Sequence, residues 1–139
     1  MSAREPISSN IYPTLTYEDA PAAIDWLCRA FGFEERLVVP NETGGVLHSE
    51  LSFGPGVIMV SSPKSGRVGP TTLGGTYGGL CVRVDDPDAH HARAVAAGAD
   101  VVQPLRDEAF GSRGYAVRDP GGHYWYFGTY VPGVHWEQS

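Results

Sequence analysis

The chain has 139 residues, with 10 basic against 16 acidic side chains, for a formal net charge of −6. At 42% hydrophobic and 19% charged it can build a core and is too apolar for a disordered chain, while 18 glycines and 11 prolines point to many turns and away from a long helical bundle. The acidic balance argues against nucleic acid, because phosphate binding needs a basic surface. No apolar run approaches the ~20 residues that span a bilayer, and the polar start MSAREPISSN does not read as a signal peptide. Cys28 and Cys81 lie far apart in apolar contexts, so no disulfide framework is implied and a soluble, cytoplasmic protein is expected.

Residues 1–9 read as an N-terminal tail. Residues 10–17 (NIYPTLTY) are extended and β-prone, with Pro13 marking an edge or irregular strand. Asp19, Ala20 and Pro21 open a helix with an acidic cap and a proline in the first turn. Ala23, Trp26, Leu27, Ala30 and Phe31 then recur at helical spacing, and Gly32 stops the helix. Strands are predicted over 34–39, 46–53 and 57–60, the last two joined by the tight Gly54-Pro55-Gly56 turn. This first unit reads βαβββ and spans residues 10–62. Residues 63–76 are a polar, Gly/Pro-rich linker.

The same grammar returns over residues 77–132. Residues 79–84 (GLCVRV) predict a strand, and Asp86, Pro87 and Asp88 open a second helix. Ala89, Ala92, Val95 and Ala96 form its apolar stripe, and Gly98 stops it; strands are predicted over 100–104, 115–118 and 124–130. Residues 133–139 read as a C-terminal tail. The 13-residue step from Asp19 to Gly32 recurs from Asp85 to Gly98, so the chain reads as an internal duplication. Neither half can bury its own sheet face, so the two must combine.

The strand over 46–53 alternates, with Leu47, Leu51 and Phe53 directed at the helix and His48, Glu50 and Ser52 at the opposite face. Residues 57–60 (VIMV) are apolar on both faces and residues 124–127 (YWYF) aromatic on both, which predicts strands covered on two sides. The second sheet face should then be concave and partly closed, with His48 and Glu50 as polar groups among aromatics in a pocket. His90 and His91 are adjacent on a helix and face different directions. With His123 after the Asp119–Gly122 turn and His135 in the tail, they are expected to be structural or solvated. Neither cysteine is expected to act as a nucleophile, and no serine elbow, phosphate loop or dinucleotide fingerprint occurs.

The paired βαβββ units, the strand HSEL and the late DPGGHYWYF together resemble the vicinal oxygen chelate superfamily, which groups glyoxalases, bleomycin-resistance proteins and extradiol dioxygenases. The likeness covers residues 10–132. IYPTLTYEDAPAAIDWLCRAFGFEE, HSELSFGPGVIMV and AFGSRGYAVRDPGGHYWYFGTY resemble its PhnB-like branch most. The resemblance implies an α+β fold of two βαβββ modules in tandem, forming a curved sheet around a cavity, and a homodimer.

In metal-dependent relatives, four inward His or Glu side chains on the first and last strands of the two units hold a divalent ion. Carried over, those positions fall on Tyr12, Glu50, Gly79 and Tyr126, and only Glu50 is a common ligand type. His48 with Glu50 supplies two donors where firm binding takes three or four. No cofactor is therefore expected and no metal ligand is assigned, with a divalent ion in an altered ligand set as the alternative.

The expected function is a metal-free small-molecule-binding protein of the sequestration or resistance kind, with a small aromatic or cationic compound as partner and no nucleic acid or membrane. Its expected ligand-binding residues are Tyr12, His48, Glu50, Phe110, Arg113, Trp125 and Tyr126, with Tyr77 as further stacking surface. Arg113, in the loop 106–113, would meet an anionic group of the ligand or else pair with Asp107, Glu108 or Asp119. The alternative is a lyase-, isomerase- or dioxygenase-type enzyme. It would be metal-dependent, or would use Glu50 as general base with His48 or Tyr126 as acid, making Glu50 and His48 the catalytic candidates. A filled cavity with a functional dimer surface is a third possibility.

Overall fold

The computed structural model describes residues 11–64, 78–109 and 111–132. Phe110, Tyr77, His135 and linker residues 65–76 lie outside them. The elements run β1 (Thr14–Thr16), α1 (Ala20–Phe31), β2 (Glu34–Pro40), β3 (Val46–Phe53), β4 (Gly56–Ser61), then β5 (Gly79–Arg83), α2 (Pro87–Ala96), β6 (Asp100–Asp107), β7 (Arg113–Arg118) and β8 (Tyr124–Gly128). The duplication is visible in the pairing, because the two four-stranded sheets have orders β1-β4-β3-β2 and β5-β8-β7-β6. The first strand of each half lies parallel to the last, placing Thr14 opposite Met59 and Cys81 opposite Tyr126.

Local chemistry sets the helix ends. Asp19 caps α1 by accepting from Ala22 N at 3.2 Å, and Asp86 caps α2 by accepting from Ala89 N at 3.1 Å. Gly32, at φ 88°, supplies the left-handed stop of α1. β6 runs past Pro104, where the sequence suggested an end. It is an edge strand, so the missing N–H of Pro104 removes no interior ladder bond, and its pairing with β7 shifts register between Gln103 and Arg106.

The two halves join through their helices. α1 packs against α2, and each helix also covers one face of its own sheet. Phe31 of α1 reaches Phe127 at 4.6 Å and Trp125 at 5.2 Å between ring centroids, so one core runs through both halves. Trp26 Nε1 donates to Ala97 O at 3.0 Å. Arg93 of α2 donates to the carbonyls of Arg29 and Cys28, groups that the end of α1 leaves unpaired. With the helices filling the space between the halves, the opposite face of each sheet stays open. No helix among the described residues is long and apolar enough to cross a membrane.

His90 is part of this joint. Its Nε2 lies 2.8 Å from the Phe31 carbonyl, which can only accept, so Nε2–H donates there and Nδ1 accepts from the Tyr115 hydroxyl at 2.6 Å. Burial holds the imidazole below its ordinary 6.5 and pushes the Tyr115 hydroxyl up. Because the unfolded chain takes up this proton at higher pH than the folded one, the contribution of His90 is fully present above about pH 6.5 and is lost as pH falls toward the depressed folded value. Urea unfolding of wild type and His90→Gln between about pH 7.5 and 5.5 should show this component, at most about 1.4 kcal/mol per unit, only in wild type.

Candidate ligand-binding faces

On the open face of the first sheet, alternation along β3 sets His48, Glu50 and Ser52 side by side. His48 Nε2 donates to Glu50 Oε2 at 2.8 Å, with each side chain 39% exposed. Ser52 accepts from Arg36 Nε at 2.8 Å, and Arg36 also pairs with Glu34. Leu37 lies opposite Glu50 and Val39 opposite His48 on β2. On the reverse face Leu51 is fully buried, and Ser49 Oγ donates to Val60 O at 2.6 Å.

Leu47 departs from the sequence pattern. It is 50% exposed, and Val46 takes the buried place at 2%. Between the pairs Pro40–Val46 and Val39–His48, β3 advances two residues while β2 advances one. The extra residue of this bulge is Leu47, which is turned out of the alternation.

On the open face of the second sheet, β8 presents Tyr124 and Tyr126, both half-buried. Gly79 and Cys81 face them from β5, and Arg118 and Ala116 from β7. The glycines explain how the rings lie. A Cβ at Gly79 would stand 2.5 Å from Tyr124 Cδ1, and one at Gly114 would stand 2.5 Å from Tyr126 Oη and 2.6 Å from the Phe127 carbonyl. Both rings therefore rest directly on the backbone of neighbouring strands, a packing that only glycine leaves room for. Burial, and then the Glu108 carboxylate, push the Tyr126 hydroxyl up. That hydroxyl reaches Glu108 Oε1 at 3.4 Å, an oxygen that also accepts from Gln103 and Arg106. A cavity of about 420 Å³ lies over this surface, lined by Gly79, Leu80, Cys81, Arg118, Tyr124 and Tyr126 with Gly78. Beside it, an apolar cleft of about 310 Å³ runs between Pro13, Val57 and Ile58 on one side and Leu80 and Val82 on the other.

The residues singled out from sequence separate into groups. His48 and Glu50 are brought together, and Tyr126 lies on an open face as expected, but on the other sheet. Tyr12 is 41% exposed just ahead of β1. Trp125 lies in the core rather than on the open face: it is 0% exposed, stacks on Phe127 at 5.8 Å, and its indole N–H donates to Asp119 Oδ2 at 2.8 Å, while it also borders the apolar cleft beside the floor. As its parity along β8 is opposite to that of Tyr124 and Tyr126, it points to the helix layer. Arg113 takes the salt-bridge alternative. It shares the helix-side parity of Tyr115 on β7, and its guanidinium grips both oxygens of Asp88 at 2.8 and 3.1 Å and reaches Asp107 at 3.3 Å. Asp107 was among the partners expected for it; Asp88, on α2, was not. Phe110 lies outside the described residues. Arg118, Cys81 and the ring-bearing glycines were missed; the odd–even parity of RGYAVR against YWYF held the signal, once the register of the two strands was known.

The described residues offer a divalent ion few donors. Glu50 lies on the third strand of its half rather than the last, so it does not occupy the last-strand position assigned to it. The pairs that face each other across the first and last strands, Thr14 with Met59 and Cys81 with Tyr126 among them, include no carboxylate or imidazole. No group of three or more His, Cys, Asp or Glu side chains able to hold a metal forms among the described residues.

Comparison with known proteins places this geometry. The family model described as Glyoxalase/Bleomycin resistance protein/Dioxygenase superfamily matches residues 11–127. An uncharacterised protein of Mycobacterium bovis is 36% identical over 131 residues, covering 91% of this chain and 86% of that protein. Among solved structures, TioX from Micromonospora sp. ML1 superposes with a TM-score of 0.72 at 40% identity, over 89% of this chain and 100% of that one. FosX from Listeria monocytogenes, a genomically encoded fosfomycin resistance protein, superposes with a TM-score of 0.67 at 18% identity, over 91% of this chain and 96% of that one. At that identity the likeness to FosX is one of fold.

Proposed function

The chain belongs to the glyoxalase/bleomycin resistance/dioxygenase superfamily, and within it we propose a metal-free binding protein that sequesters a small aromatic molecule as a homodimer. The observation that carries this reading is the tyrosine floor of the second sheet, where two half-exposed rings rest on glycines beneath a cavity of about 420 Å³, a volume suited to a small ligand. The donor set supports the metal-free part: His48 and Glu50 offer two donors, and hydroxyl, thioether and thiol groups make up most of the rest. The dimer is supported by the open faces. Each sheet supplies one wall, the helices fill the space between the halves, and a second copy would bring an opposing wall to each. Two free cysteines suit a reducing, cytoplasmic setting. The PhnB-like assignment rests on sequence motifs alone.

A cationic ligand group would have to compete with His48 for Glu50, because the His48 N–H already occupies Glu50 Oε2. That same 2.8 Å contact favours a second reading, in which Glu50 acts as a general base paired with His48 in a metal-free proton transfer. A panel of small aromatic compounds screened by saturation-transfer NMR separates the two. On the binding reading, Tyr126→Ala weakens the bound compounds about tenfold, the scale of a lost stacking contact together with its buried area. Glu50→Gln then changes affinity but abolishes no turnover. Binding indifferent to Tyr126→Ala would contradict the reading, and turnover lost in Glu50→Gln would transfer the case to the enzyme.

A further inference from the structure

We infer that the open face of the second sheet is a subsite for the anionic group of a planar aromatic ligand, with Arg118 as its anchor and Tyr124 and Tyr126 as its floor. This rests on the small-molecule reading above and names the ligand class that reading leaves open. Arg118 lies opposite Tyr124 in the β7–β8 ladder, so its side chain leaves the sheet on the same face. It is exposed, and among the described residues it is the one charged side chain that lines the cavity.

The other arginines of this half are occupied. Arg83 pairs with Asp85 at 2.9 Å, Arg106 with Glu108 at 3.2 Å and Arg113 with Asp88 at 2.8 Å, while Arg93 donates to the carbonyls at the end of α1. None of the ion pairs among the described residues uses Arg118, although Asp100 stands opposite it on β6. Glu108, the acid that meets the Tyr126 hydroxyl, already accepts from Gln103, Arg106 and Tyr126. A guanidinium that no carboxylate among the described residues pairs with, at the mouth of a cavity in a chain of net charge −6, creates a local preference opposite to that of the whole surface. Its fork matches a carboxylate or sulfonate with two parallel hydrogen bonds.

The floor sets the rest of the ligand. The Tyr124 ring lies over Gly79, and the Tyr126 ring extends from Gly128 to Gly114, since a Cβ at Gly128 would stand 2.8 Å from Tyr126 Cε1. Rings laid on the backbone present a face outward, which an aromatic ligand covers by offset stacking. The ligand class is therefore an aromatic acid whose ring system rests on the tyrosines while its acid group reaches Arg118.

Three fluorescent probes with related aromatic cores test this on the full chain: anionic anilinonaphthalenesulfonate, uncharged N-phenylnaphthylamine and cationic proflavine. Wild type should bind the sulfonate about tenfold more tightly than the uncharged probe, as expected for one charge-assisted pair. Arg118→Ala should remove that preference while leaving the uncharged probe unchanged, and Arg118→Lys should retain part of it. Added salt should weaken only the sulfonate. Proflavine bound most tightly by wild type, or an anion preference that survives Arg118→Ala, overturns the inference while leaving a binding protein in place. If no probe binds to wild type of unchanged far-UV circular dichroism, the small-molecule reading fails and the anion subsite falls with it.

Discussion

Asp119→Ala should lower the stability of the fold by about 3–5 kcal/mol, the range for removing one partner from a buried charged network. Asp119 is 4% exposed and accepts four hydrogen bonds. Its Oδ1 takes the backbone N–H groups of Gly121 and His123 at 3.0 and 2.9 Å, which shapes the β7–β8 turn. Its Oδ2 takes the Tyr17 hydroxyl at 2.6 Å and the Trp125 indole N–H at 2.8 Å, which tie that turn to the end of β1 and to the core. Burial first, and then the charge of Asp119, push the Tyr17 hydroxyl well up, so it remains a donor. Alanine would strand all four donors. Asp119→Asn should cost less, about 2 kcal/mol, because its carbonyl can keep both turn N–H groups while its amide meets the indole N–H donor to donor. Urea unfolding at neutral pH measures both, and a loss below about 1 kcal/mol for the alanine variant would mean that the network is not held as described.

The second large effect is at Trp125. Trp125→Ala should cost about 3–5 kcal/mol, as for a fully buried aromatic cut to a methyl group. The indole packs among Phe31, Phe33 and Phe127 with centroid separations of 5.2, 5.6 and 5.8 Å. If Trp125 were ligand surface, the variant would fold normally and lose only binding. Because Trp125 and Asp119 share a hydrogen bond, the double variant should cost less than the two single losses combined. Thermal and urea unfolding of the three variants gives the coupling directly, and additive losses would place the two side chains in separate networks.

The fold was legible because its signals are local. Asp19 with Pro21, and Asp86 with Pro87, announce helix starts, Gly32 and Gly98 announce stops, and their return in the same order announces the duplication. The open faces were legible only in part. Alternation placed His48 and Glu50 together, since residues two apart on a strand share a face whatever the register. It did not show which half of YWYF faces outward, because both parities are aromatic and the choice depends on where α2 packs. Trp125 was therefore taken for ligand surface and Arg118 passed over. The bulge at Leu47 and the Asp88 grip on Arg113 arise from contacts distant in sequence, which no local pattern carries. The Glu50 position went wrong for a related reason: β3 precedes the hairpin, but β4 is the strand beside β1, so chain order did not give sheet order.

The central claim, a metal-free dimeric cup for a small molecule, is tested most directly by native mass spectrometry of the untagged full chain. It would be run as purified and again after incubation with Mn²⁺, Fe²⁺, Ni²⁺ and Zn²⁺ followed by desalting. The account predicts a dimer whose mass gains no ion from any of the four metals, and which loses any retained organic mass on Tyr126→Ala. One firmly held ion per subunit, lost in Glu50→Ala, would contradict it and make Glu50 part of a metal centre.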